Sequence, residues 1–229
     1  MVTIKLDLHV HSIYSRDAGL APKDIVEISV RKGLAGVAVT DHGTVKGGLK
    51  VKEVSPPGFI AIPGAEVKTS RGDLLVLFVE DEVKPGEPLE VIEKARELGG
   101  LVILPHPFDH ARRATMKKAE EVARKVDAIE GFNSRCLSNY SNLRAVELAK
   151  ALGKPTTGGS DAHFALELGR AFTLMDEAER PEDVREAILK GEVWVEGRLS
   201  PPYVHLMSRV RKTWMSLTSS LSSRGAEDP

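Results

Sequence analysis

The chain has 229 residues, of which 41% are hydrophobic, 28% charged and 5% aromatic. That size and balance fit one ordinary globular domain with a sizeable core and exclude a chain that is disordered throughout. With 32 basic residues against 33 acidic ones, there is no broad positive surface, which argues against an extended duplex as partner and leaves a short single strand open.

The opening residues, MVTIKLDLHV, read as a strand and not as a signal peptide. No apolar run approaches the ~20 residues needed to span a bilayer, and a single cysteine, Cys136, cannot form an internal disulfide. Together these point to a cytoplasmic protein with no membrane partner. Cys136 reads as a packed residue before it reads as a nucleophile. The absence of Gln and the presence of only three Asn, beside many Lys, Arg and Glu, is the bias of a heat-tolerant protein.

In chain order, TIKLDL reads as a strand, PKDIVEISVRKG as an amphipathic helix and GVAVT as a second strand, followed by a short charged segment. FIAIPGAEV and DLLVLFV are apolar strands, EPLEVIEKARELGG is a helix and LVILP a strand. TMKKAEEVARKV, DAIEGF, NYSNLRAVELAKALG, KPTTGG, RAFTLM and PEDVREAILKG continue the alternation. Strand and helix repeated about seven times argues for βαβ units and a mainly parallel sheet or barrel. Gly33, Gly99, Gly153 and Gly191 close helices, and Pro22, Pro88 and Pro181 stand near helix starts. The expected organisation is one domain over residues 1–200. Residues 201–229 then form a C-terminal helix, from about Tyr203 to Trp214, and a flexible Ser-rich tail, SLTSSLSSRGAEDP.

Five short motifs each follow an apolar run: Asp7, His9 and His11 in DLHVHS; Asp41 and His42 in VAVTDHG; Glu66 in IPGAE; His106 in ILPHP; Asp161 and His163 in GGSDAH. Each has an ordinary reading by itself, as an incidental His pair, a turn, a surface charge, a packed loop or a helix cap. Together they place imidazoles and carboxylates at the ends of alternating strands, where a parallel α/β barrel converges on one face. Residues two apart project to the same side, so His9 with His11, and Asp161 with His163, can serve one cluster. Mixed imidazole and carboxylate donors without thiolates suit a catalytic site for Mn, Fe or Zn.

These five motifs, in this order, resemble the PHP family, named for its polymerase and histidinol phosphatase members. The likeness runs from about Lys5 to Gly169. It implies a distorted (β/α)7 TIM-like barrel with two or three divalent ions, Mn, Zn or Fe, held by His9, His11, His42, Glu66, His106, Asp161 and His163. It also implies that Asp7 and Asp41 orient imidazoles or hydrogen-bond water. Two positions depart from the pattern. Asp17 stands where some members have a His, and it is kept as an oxygen ligand. The segment VKTSRGDLLVLFVEDE lacks a His that some members carry, and Asp73 is its stand-in.

The reaction that follows is metal-dependent hydrolysis of a phosphate ester, with ions holding a hydroxide, aiming it at phosphorus and offsetting charge on the phosphate oxygens. The expected substrate is a small phosphorylated molecule, nucleotides or short oligonucleotides first, with no obligate protein partner. Arg135 and Arg170 are candidate phosphate clamps, Asn133 is a polar substrate contact, and Arg112 and Arg113 follow the His106 loop. Asp161 and His163 lie nearest to a catalytic role, with the leaving-group acid unassigned. The rivals are a histidinol-phosphate or protein tyrosine phosphatase, a non-catalytic metal-stabilised module serving a polymerase or other partner, and an amide or lactone hydrolase on a similar barrel.

Overall fold

The computed structural model describes residues 3–109 and 118–224. In chain order they form β1 (Ile4–Val10), α1 (Pro22–Arg31), β2 (Gly36–His42), α2 (Lys46–Val54), β3 (Ile60–Lys68), β4 (Asp73–Leu77), α3 (Pro88–Glu97) and β5 (Leu101–Leu104). There follow α4 (Ala119–Ala123), β6 (Ala128–Asn133), α5 (Asn139–Leu152), β7 (Thr156–Gly159), β8 (Ala171–Met175), α6 (Pro181–Lys190), β9 (Val193–Gly197) and α7 (Tyr203–Arg224). The helix boundaries have local causes. Pro22, Pro88 and Pro181 occupy first helical turns, where a missing N–H costs nothing. Gly153 and Gly191 end α5 and α6 in the left-handed conformation that a side chain resists.

The strands make one sheet in the order β7-β6-β5-β4-β3-β2-β1-β8-β9. β1, β2 and β3 are parallel neighbours, as are β5, β6 and β7. β4 runs against both β3 and β5, because residues 69–72 are too few to carry a crossover and make a hairpin instead. β8 is also reversed, against β1. The sheet is mainly parallel, as expected, and these two strands are where it departs from parallel order. The barrel is nearly closed where the chain leaving β7 meets the end of β1: Val10 bridges Ala162, His11 N donates to the Ala162 carbonyl at 2.8 Å and Asp161 N to the His9 carbonyl at 2.7 Å. This seam lies in the motif residues themselves.

Residues of eight strands build one apolar cluster, including Leu6, Ile62, Leu75, Leu77 and Ile103, into which α6 sends Val184 and Ile188. Glu66 and Asp73 continue the same alternating face on β3 and β4, so charged groups stand directly beyond the apolar layer. A second helix not expected from the sequence, α2, forms over the charged segment KGGLKVKEV. Its two glycines are what let it approach, since a methyl on Gly47 would strike Asp41 and Ser12, and one on Gly48 would strike the backbone of Pro63. The C-terminal helix runs to Arg224, through the Ser-rich stretch expected to be a tail. No described helix is long and apolar enough to cross a membrane.

Candidate metal centre

Because β1, β2, β3, β5, β6 and β7 all point one way, their C-terminal ends deliver His9, His42, Glu66, His106, Glu130 and Asp161 to one rim. The reversed β4 reaches that rim with its first residue, Asp73, which pairs with Lys68. His9, His11, Glu66, His106, Asp161 and His163 are all buried, while His42 is partly open to solvent. Among the described residues three overlapping donor groups are close enough to hold an ion: His11 with His42 and His163, His9 with His11 and Asp161, and His9 with Glu66 and His106. His9 and His11 each serve two groups, so the groups form one cluster.

Hydrogen-bond accounting fixes which ring nitrogens face inward. His9 Nδ1 lies 2.9 Å from Glu130 Oε1, a carboxylate that can only accept, so Nδ1 carries a proton and, in the neutral ring, Nε2 is the lone pair. The Ser15 hydroxyl spends its one proton on Asp41 Oδ1 at 2.6 Å, so His11 Nδ1, 3.2 Å from Ser15 Oγ, must be the donor in that contact. His163 Nδ1 donates to the Asp161 carbonyl at 2.8 Å. The outcome is that His9 Nε2 and His11 Nε2 face each other across 3.2 Å, both as lone pairs when the two rings are neutral. Two lone pairs at that distance repel unless a metal ion or a proton lies between them.

The surrounding donor spacings agree. His11 Nε2 is 3.4 Å from Glu66 Oε2 and 3.3 Å from Asp161 Oδ1. Asp17 Oδ1 is 3.6 Å from His42 Nε2 and 3.7 Å from His163 Nε2. These separations are long for hydrogen bonds, but donors about 2.1 Å from a tetrahedral ion stand about 3.4 Å apart. Asp17 Oδ1 and His106 Nδ1 are buried with no hydrogen-bond partner among the described residues. Two backbone outliers sit here as well: His106 and Asp161 have positive φ, 30° and 55°, a strain of about 1–3 kcal/mol each that the folded surroundings must impose.

Charge tells the same story. Burial would push the Glu66 carboxyl up, but the His42, His106 and His9 rings outweigh it and hold Glu66 well below the usual range. Desolvation opposes charge on His9, yet Asp161 and Glu130 draw it well above the ordinary imidazole value. Burial and the neighbouring His11 and Arg135 push His163 well below it. Burial and His42 lower His11. The cluster therefore combines a Glu66 carboxylate held ionised and His11 and His163 rings held toward the neutral form with His9 and His42 rings that the surrounding carboxylates draw toward the cationic form, an excess pull on positive charge. Burial, with the negative Glu66 nearby, raises Asp73 to about 6.

The structure brings seven of the eight expected ligand residues into the three donor groups and sets the eighth, Asp17, beside them, with Oδ1 3.6 Å from His42 Nε2 and 3.7 Å from His163 Nε2. Asp73 lines the same cavity but belongs to none of the three donor groups. Asp7 touches no imidazole: it accepts from Ser160 N at 2.8 Å, from Gly169 N at 2.8 Å, and from the Ser160 hydroxyl, tying the GGSDAH turn to β1. Asp41 acts through Ser15, and it also accepts from Ser12 N at 2.7 Å. Arg135 is buried at the cavity wall, with its Nε 3.2 Å from Glu167 Oε1 and a terminal nitrogen 2.9 Å from Ser208 Oγ of α7. Two expected substrate contacts are elsewhere. Arg170 donates to the Leu199 carbonyl at 2.6 Å and is not part of the cavity lining. Asn133 is fully buried and donates to Glu130 Oε2 at 3.0 Å and Asp161 Oδ2 at 3.2 Å, so it braces the cluster. Arg112 and Arg113 lie outside the described residues. Glu130, Ser15 and Glu167 were missed; the signal for Glu130 was a lone carboxylate inside the apolar run DAIEGF.

The whole arrangement opens into a cavity of about 1050 Å³, walled on one side by α7. Residues 7–125, more than half of the chain, match the family model described as the PHP domain, and residues 139–193 match the PHP-associated model. The chain belongs to the PHP family. Among its PHP relatives, an uncharacterized protein of Methanocaldococcus jannaschii is 37% identical over 190 residues, covering 79% of this chain and 75% of that one. A protein of Shewanella sediminis named probable phosphatase is 28% identical over 214 residues, covering 78% of this chain and 87% of that one. The PHP barrel superposes with a TM-score of 0.70 at 18% identity on a two-domain protein from Bacteroides vulgatus that contains a predicted PHP-like metal-dependent phosphoesterase. That match covers 86% of this chain but only 65% of the other. PsfC from Pseudomonas syringae also gives 0.70, at 21% identity, over 94% of this chain and all of that one.

Proposed function

We propose that this PHP protein hydrolyses a phosphate ester of a small molecule, a nucleotide or short oligonucleotide first, with two or three divalent ions bound by the three donor groups. The observation that carries this reading is the pair of facing Nε2 atoms on His9 and His11, 3.2 Å apart, each with a partner at Nδ1 and each shared by two of the three donor groups. His9, His11, Asp17, His42, Glu66, His106, Asp161 and His163 would hold the ions. When bound, Mn, Zn or Fe would supply Lewis acidity toward phosphate oxygens and lower the pKa of water.

The chain's own residues do the rest. Glu130 and Ser15 hold the His9 and His11 rings so that Nε2 points inward, and Asn133 keeps Asp161 in register. Arg135 presents a planar cation on the cavity wall, suited to a phosphate oxygen pair. Asp73 lines the cavity outside the donor groups, and a proton held at its carboxyl would serve a leaving alkoxide. The test is hydrolysis of a generic phosphomonoester, a phosphodiester and a nucleotide panel, with and without added Mn or Zn. Metal-dependent release of phosphate is expected, and metal binding without any turnover would refute the reading in favour of a binding module.

A further inference from the structure

Asp17 is the expected ligand with the least support of its own. It lies in the loop of residues 11–21 between β1 and α1, outside any strand or helix. Its Oδ1 is buried with no hydrogen-bond partner among the described residues, and the His42 and His163 rings stand 3.6 and 3.7 Å away. The place of this carboxylate therefore follows from the backbone of its loop. Three bonds hold that backbone just beyond Asp17. Ala18 N donates to the Ser15 carbonyl at 3.1 Å, Gly19 N to the His163 carbonyl at 2.8 Å, and Arg211 Nε of α7 to the Ala18 carbonyl at 2.6 Å. Gly19 is packed between the Phe164 ring and the Arg211 guanidinium, which lie 3.5 and 3.6 Å from the point where a side chain would start.

The same helix holds the loop that carries His163. Ser208 accepts from Arg135 at 2.9 Å, and Arg135 Nε lies 3.2 Å from Glu167 Oε1. Glu167 Oε2 in turn accepts from His163 N at 3.0 Å and from Phe164 N at 3.1 Å. The stretch leading into α7 repeats the pattern, since Ser200 N donates to the Ser134 carbonyl at 2.6 Å and the Ser134 hydroxyl to the Ser160 carbonyl at 2.7 Å, next to Asp161. Val204, Ser208 and Arg211 stand at i, i+4 and i+7, one helical face about 10 Å long. Val204 and Ser208 are buried and Arg211 is half-buried, whereas Lys212 to Thr218 are exposed apart from Met215. The docked part of α7 thus ends at Arg211. It fastens the two loops whose ligands, Asp17 and His163, face each other beside His42. The other two donor groups are braced from β6, by Glu130 and Asn133.

We infer that α7 is a strap that completes the outer donor group, His11, His42 and His163 with Asp17, and that Arg211 is its positioning residue, acting on Asp17 through the Ala18 carbonyl. This rests on the metal-binding part of the proposed function and adds to it a division of labour. The barrel alone shapes the two groups around His9, and the C-terminal helix shapes the third. Without the Arg211 bond the loop is free to carry Asp17 away from His42 and His163, so the outer ion is lost while the others stay.

The test is a titration of the metal-free full chain with Mn or Zn against a competing chelator, with elemental analysis for the count and thermal unfolding of the metal-free protein as the check on folding. Arg211→Ala truncates a half-buried side chain and leaves the fold standing. It should weaken one ion by about tenfold or more and leave the rest within about twofold of wild type. Arg211→Lys keeps a cationic donor for the Ala18 carbonyl and should recover most of the loss. Asp17→Ala marks the outer site, and adding Arg211→Ala to it should cost no further affinity, because both changes remove the same placement. Wild-type affinity for every ion in Arg211→Ala, equal weakening of all ions, or effects that add in the double variant overturns the strap. Wild-type protein that binds no metal defeats the metal reading itself, whereas wild type that loads normally and is indifferent to Arg211→Ala defeats the strap alone.

Discussion

Glu130 offers the sharpest mutational test, because its two oxygens accept from three donors: His9 Nδ1 at 2.9 Å, His106 N at 2.9 Å and Asn133 Nδ2 at 3.0 Å. Glu130→Gln keeps the shape but has one acceptor oxygen. If that oxygen stays with the two N–H groups on its His106 side, the new amide NH2 meets His9 Nδ1, donor against donor. His9 relieves this by moving its proton to Nε2, which removes the lone pair that faces His11. A hydrogen bond to a charged group is worth about 1.5–3 kcal/mol. Loss of such a partner behind a metal-bound imidazole typically costs a factor of about 10–100 in metal affinity, or about 1.4–2.7 kcal/mol. Titration of Zn or Mn against a competing chelator reads this directly, with thermal unfolding of the metal-free protein as the check on folding. A folded Glu130→Gln variant whose metal affinity stays within about twofold of wild type would refute the tautomer argument.

Three further outcomes follow from the same geometry. Gly159→Ala puts a methyl onto the His9 side chain and near Glu130 Oε1, so it should lower the melting temperature, at a cost of about 1–3 kcal/mol, and reduce bound metal together; unaltered metal content would remove Gly159 from the account. Arg135→Ala leaves Glu167, raised to about 7 by burial against the pull of Arg135, without its cation, and should destabilise by about 3 kcal/mol while raising KM. Adding Glu167→Gln should restore much of the stability but not the KM, and recovery of both would make Arg135 a structural residue only. Ile103→Ala, at a position with 0% exposure in the apolar cluster, should cost about 2–5 kcal/mol in denaturant unfolding with metal stoichiometry retained, and loss of metal in the still-folded variant would show that the floor depends on that layer.

The readable part of this protein was the part encoded locally. Strand-end motifs, helix-starting prolines and helix-ending glycines depend on a few adjacent residues, so the alternation and the eight candidate ligands could be listed from the sequence. What escaped depends on pairings made at long range. The reversal of β4 is set by a turn of four residues between two apolar runs that look alike. Helix α2 forms from a glycine-rich segment of poor propensity, because those glycines allow close contact with Asp41 and Pro63. Arg135 and Arg170 both read as phosphate clamps from the sequence, and only the fold sends one to the cavity and the other to the Leu199 carbonyl. Glu130 lies 121 residues from the His9 it orients, a partnership no local pattern records.

The central claim is that facing imidazoles and carboxylates on one rim of the barrel exist to hold metal ions, and elemental analysis tests it most directly. Wild-type protein and a His11→Ala variant, both purified without chelator, should be compared for Mn, Fe and Zn alongside a measure of folding. The account predicts about two or three equivalents in wild type and a clear loss in a folded His11→Ala, since His11 serves two of the three donor groups. Folded wild-type protein that holds no metal and takes up none on titration would contradict it.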